Sequence, residues 1–191
     1  MTLQLRMLAP LALLVTAGCD RGAESANADA ANVALNDSAE EAADGTALPR
    51  ADTLSFVESA AASDMYEIEA GKLGSDKASN PDVKSFAEML VTDHTKSSAE
   101  MKAAASQARP GLTPLAALPA DKQAKIDALK AASGEEFDRL FLTQQVEAHT
   151  AALQLLEAYA SGGEAQSLKD FAAKTAPVVK AHLEKAKSLQ K

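Results

Sequence analysis

An all-α fold, a bundle of four long helices with one longer middle connection, follows from three features of the sequence. Apolar residues recur at alternating steps of three and four over long segments, the period of a helix with one buried face. Strand-length runs of Val, Ile and Thr are missing, alanine dominates the apolar content and aromatics are scarce, which excludes a sheet protein. Helix breakers cluster at a few points only. A length of 191 residues with 47% hydrophobic content supports one domain with a sizeable core.

Residues 1–18 read as a bacterial export signal, with Arg6 as the charged start, an apolar run from Met7 to Val15, and small residues before Cys19. That run is too short to span a bilayer. Val15-Thr16-Ala17-Gly18-Cys19 resembles a lipobox, so Cys19, the only cysteine, is expected to carry a lipid on the periplasmic side of the cell envelope. Asp20 resembles an inner-membrane retention signal, yet Arg21 follows it, so inner and outer membrane both stay open. Residues 19–51 are rich in Ala, Asn, Asp, Glu and Ser and poor in large apolar groups. They read as a disordered acidic tether, because too little can be buried to offset ordering entropy.

The bundle domain is expected over 52–191. Asp52 can cap helix one, which carries Phe56, Val57, Ala61, Met65, Ile68 and Leu73 to about Ser79. Asn80-Pro81 caps and starts helix two, which runs to about Ala108. Pro110, Gly111, Pro114 and Pro119 mark the long connection, and a short helical piece follows over 121–132. Helix three runs from Glu135 to about Ala160 and ends at Gly162-Gly163; helix four runs from about Glu164 to Leu189. Pro177 removes one backbone hydrogen bond in helix four and predicts a bend before His182. Phe56, Phe86 and Phe141 each stand eight residues before Asp64, His94 and His149, an echo that fits two antiparallel hairpins.

Charge narrows the partners. Segment 20–51 holds seven acids and two bases, and the domain has sixteen bases interspersed among twenty acids. No basic patch emerges, which argues against nucleic acid and against electrostatic binding to anionic lipid. Membrane attachment is expected through the N-terminal lipid alone.

The chain's three histidines, His94, His149 and His182, lie on the apolar stripes of three different helices near mid-height. The stripes are Val83, Ala87, Leu90, His94, Ser97, Met101; Leu142, Val146, His149, Leu153, Leu156; and Leu168, Ala172, Thr175, Val179, His182, Ala186, Leu189. Three neutral imidazoles with one carboxylate from helix one suit a single zinc, copper or iron ion. The stripe Val57, Ala61, Asp64, Ile68 puts Asp64 in that place, and Glu67 lies one turn on. Asp93, beside its histidine in the chain, is expected to support the site from outside rather than bind the metal.

Phe86-Ala87 with Asp93-His94, Gly134-Glu135-Glu136-Phe137-Asp138-Arg139, Phe171-Ala172 through Pro177 to His182-Leu183, and Glu67 with Gly71-Lys72-Leu73 stand in an order that resembles the bacterial domain of unknown function 4142 family over about 52–189. The resemblance implies a ferritin-like up-down bundle in an exported protein and favours Glu67 as the helix-one acid. It brings no activity. Di-iron bundles need Glu-x-x-His on two helices, and Val91, Val146 and Val179 stand three residues before the histidines, so a di-iron centre is not expected.

No catalytic residue is assigned, because no base or nucleophile with a substrate pocket can be identified. The lead reading is therefore an envelope lipoprotein that binds one metal ion for buffering or stress protection. The competing one is a metal-free structural or interaction module on a membrane tether, in which the histidines only hydrogen-bond to carboxylates. Met65, Met89 and Met101 read as gap-filling core residues, and Tyr66 and Tyr159 as bundle-edge packing.

Overall fold

The computed structural model describes residues 52–191 except 115 and 116; the expected signal, Cys19 and the tether lie outside the described residues. Among the described residues five helices form: α1 (Thr53–Lys77), α2 (Pro81–Ala108), α3 (Ala120–Ala131), α4 (Gly134–Gly162) and α5 (Gln166–Leu189). Among the described residues there is no strand, and no helix is long and apolar enough to cross a membrane.

The helix starts are built as local chemistry requires. The Asp52 carboxylate accepts from the Ser55 backbone N–H (3.0 Å) and hydroxyl (2.9 Å), and Asn80 Oδ1 accepts from the Asp82 N–H (2.8 Å) with Pro81 opening α2. α5 continues through Pro177. The carbonyl that this proline leaves without its usual donor, on Ala173, belongs to an exposed residue, where water can take the donor's place.

Contacts at the helix ends define the topology. The starts of α2 and α4 meet, because Asp138 accepts from the backbone N–H groups of Ser79 (3.1 Å) and Asn80 (2.9 Å) and from the Ser79 hydroxyl. Ser167 at the start of α5 donates to the Ala104 carbonyl near the end of α2, and Thr53 at the start of α1 bonds Tyr159 near the end of α4. α2 and α4 therefore run parallel, and the order is up-down-down-up. The all-α bundle of two antiparallel hairpins with one longer middle connection stands as expected. The long connection, with α3 inside it, returns along the bundle before α4 begins, the single-crossover form of ferritin-like folds. The phenylalanine echo reports the same directions. Phe56 of α1 lies at one end with Tyr159 and Phe171, whereas Phe86 and Phe141, from the oppositely running α2 and α4, lie at the other.

The core accordingly has two apolar halves. One gathers Phe56, Val57, Met101, Leu156, Tyr159, Leu168 and Phe171, and the other Tyr66, Val83, Phe86, Leu90, Ile126, Leu129, Phe137 and Phe141. Both tyrosines are buried core residues, which corrects the bundle-edge reading. Thr53 satisfies one phenol, and Gln144 Oε1, 2.8 Å away, accepts from the Tyr66 hydroxyl. In α1 the inner face also differs from expectation, since Met65, Ile68 and Leu73 are only half-buried while Asp64, Glu67, Gly71 and Gly74 point inward. The two glycines account for the choice of face. A Cβ at Gly71 would stand 2.9 Å from the Ala87 carbonyl oxygen, and one at Gly74 would stand 2.5 Å from the Ala87 side chain. Only a glycine face lets α1 lie this close to α2, and that face carries the two carboxylates inward with it.

Candidate metal centre

Between the two apolar halves lies one polar layer. Its members are Asp64 and Glu67 from α1, His94 from α2, Gln145 and His149 from α4, and His182 from α5, all buried. The three imidazoles meet there, with ring centroids 5.3, 5.5 and 5.6 Å apart. One nitrogen of each lies within 4.8 Å of the other two. Three points with that edge sit no farther than roughly 2.8 Å from a common centre, against about 2.0–2.1 Å for a zinc–imidazole bond. A shift of less than about 1 Å per ring would bring them to bonding distance.

Each ring is held by its outer nitrogen. His94 Nδ1 is 2.8 Å from Asp64 Oδ1, His182 Nε2 is 3.0 Å from Asp93 Oδ2, and His149 Nδ1 is 2.9 Å from the Gln145 carbonyl. A carbonyl can only accept, so His149 carries its proton on Nδ1; carboxylate partners assign the protons of the other two in the same way. The remaining nitrogens, His94 Nε2, His149 Nε2 and His182 Nδ1, are buried and have no hydrogen-bond partner. Orienting partners on the outer nitrogens and free lone pairs on the inner ones are the arrangement metal-binding histidines show.

Electrostatics keep most of these lone pairs free. Burial, reinforced by repulsion from His94 and His182, pushes His149 down to about 3. Burial also lowers His182 against the opposing hydrogen bond to Asp93. His94 shifts the other way: burial works against its charge, but the Asp64 hydrogen bond and the charges of Glu67, Asp64 and Asp93 outweigh it. Glu67 is pushed up to about 7 by burial, with His94 and the nearby Gln145 amide favouring the anion. That amide makes no hydrogen bond of normal geometry, and both Glu67 oxygens lack a partner.

The sequence-predicted residues thus separate into two groups. His94, His149 and His182 converge; Asp64 and Glu67, expected to supply a fourth ligand, do not join the cluster of ligand atoms. Asp64 sits on the outer nitrogen of His94, with Ser98 Oγ at 3.3 Å, and Glu67 Oε1 lies 3.7 Å from the outer nitrogen of His149. From helix one, Asp64 therefore orients His94, while Glu67 lies beside His149 without a hydrogen bond to it. Asp93 reaches His182 from the α2 surface. Gln145 escapes the sequence reading. It occupies the inner face of α4 where the stripe puts Val146, and its signal is its place one turn before His149.

The sequence matches the family described as "Domain of unknown function (DUF4142)" over residues 27–189. No curated protein matches it significantly. Among solved structures, a DUF305 fragment from Deinococcus radiodurans is similar with a TM-score of 0.63 and 14% identity, covering 74% of this chain and 98% of that one. CopM in its Cu(II)-bound form is similar at 0.59 and 20%, covering 72% and 94%, and in its Cu(I)-bound form at 0.58 and 23%, covering 71% and 92%. At these identities the likeness shows a shared helical fold.

Proposed function

The chain belongs to the DUF4142 family, and we propose that it binds one transition-metal ion, copper first among the candidates, through His94, His149 and His182. The observation that carries this reading is the set of three buried imidazoles from three helices, each with one unpartnered ring nitrogen, whose ligand atoms lie within 4.8 Å of one another. A polar layer kept only for packing would leave each unsatisfied, at a cost of about 1–3 kcal/mol apiece. An all-imidazole set accepts zinc, copper or iron, and among the divalent ions the intrinsic affinity order favours copper over zinc. The copper-bound CopM structures share the fold and support the same choice.

The export signal and Cys19 support placing this domain on a lipid anchor at the periplasmic face of the envelope, inner or outer membrane. There it would buffer metal and protect the envelope, without turnover. The metal-free module remains the rival reading, in which Asp64 and Asp93 serve only to satisfy buried histidines.

The test is the metal content of the untagged protein after growth with copper, zinc and iron, read by mass spectrometry. About one equivalent per chain is expected, with a thermal midpoint that rises with added metal by mass action. Less than about a tenth of an equivalent, with no change in midpoint, would select the metal-free module.

A further inference from the structure

Met89 does not behave as a gap-filling core methionine. Met101 is buried in the core, whereas Met89 is 38% exposed and Val178, across from it on α5, is 43% exposed. Met89 and Asp93 lie one turn apart on α2, and both line a groove of about 670 Å³ between α2 and α5 that Phe86, Val178 and Ala181 make apolar. Asp82 and Lys185 also line this groove. The hydrogen-bonded Asp93–His182 pair lines it as well. His182 holds Asp93 with Nε2, its Nδ1 is buried without a partner, and its ring clusters with the other two imidazoles, so a single ring stands between the groove and the centre. On the other side of α2, Gly71 of α1 lies directly against Val91 and Ala87, and the cavity beside Asp64 and His94 holds only about 20 Å³.

We propose that this groove is the loading port of the metal centre, with the Met89 thioether and the Asp93 carboxylate as a transient site for a cuprous ion. The proposal rests on the metal-binding reading above. A thioether is a soft donor that selects Cu(I) over zinc, and the neighbouring carboxylate supplies the charge that attracts a cation into an otherwise apolar groove. Passage inward then requires the Asp93–His182 hydrogen bond to open and the imidazole to swing aside. No electron changes hands; the ion exchanges one set of donor atoms for another.

The full chain is mixed without oxygen with a coloured cuprous chelate, and in parallel with a coloured zinc chelate, and the bleaching of each is followed. Met89→Leu should slow cuprous transfer by roughly tenfold and leave zinc transfer unchanged, with the same final stoichiometry. Ala181→Phe, which fills the groove, should slow both metals. Ala151→Phe, in the groove between α1 and α4, should slow neither. All three positions are exposed, so the fold should tolerate each change. Normal final binding with a wild-type cuprous rate in Met89→Leu overturns the port while leaving the metal centre standing. A wild-type protein that takes up neither metal overturns the centre and the port together.

Discussion

The apolar halves of the bundle and the polar layer between them share the four long helices, with α3 adding Ile126 and Leu129 to one half, but are built by opposite rules. In the half containing Phe86, Phe137 and Phe141, large side chains are wholly buried and meet aromatic or aliphatic neighbours, so the contacts complete themselves. In the layer, seven buried side-chain atoms of Glu67, His94, Gln145, His149 and His182 are without partners. The difference separates stability from function along the bundle axis. The apolar ends hold the helices together tightly enough for the middle to leave these polar atoms unpaired, the condition the proposed site requires.

Breaking the apolar side should give the largest effect. Phe141→Ala should destabilise the chain by about 3–5 kcal/mol, read by urea unfolding, because its ring is wholly buried against Phe86 and Phe137. The folded fraction should nevertheless still bind its metal; loss of metal from fully folded protein would show that the two regions are not separable.

Breaking the polar side should do the reverse. His149→Gln should weaken metal binding by roughly a hundredfold or more, about 2.7 kcal/mol, while changing the midpoint of the metal-free protein much less. A competition titration measures the first and calorimetry the second. Unchanged affinity would remove His149 from the site.

Glu67 sharpens the comparison with a smaller and pH-dependent effect. Its carboxyl is raised from 4.5 to about 7 in the folded chain, so the stability it contributes is complete below about 4.5 and is lost as pH rises through about 7. Glu67→Gln removes that loss. In metal-free protein the variant should therefore gain, relative to wild type, a few degrees of midpoint at pH 8 that it lacks at pH 4.5, on the order expected for 1–2 kcal/mol in a domain of this size. An equal or opposite difference would mean that Glu67 is ionised and paired in the folded state.

Much of the candidate site is legible in the amino-acid sequence. The three histidine stripes specify the helices, the faces and the shared height, because helical periodicity is local and each imidazole replaces a leucine-like position. The acids are harder. Helical phase turns Asp64 and Glu67 toward the histidines, but whether an acid meets the inner or the outer nitrogen depends on ring rotation and on how closely α1 approaches α2. Gly71 and Gly74 settle the second of these, and their meaning appears only once Ala87 is placed against them. Asp138 shows the same limit: it stands in a recognisable motif, yet its task, holding the start of α2, joins residues 58 and 59 positions apart.

The sequence by itself determined four long helices and a short one, their caps, and three histidines at one level, since these depend on steps of three and four and on turn chemistry within a few residues. Only the tertiary structure decided that α2 and α4 run parallel, that Asp64 holds His94 from behind, and that the His182 ring stands between an exposed groove and the other two imidazoles. Those outcomes are set by contacts between distant segments, where displacement by one ångström or rotation of one ring exchanges a ligand for its support.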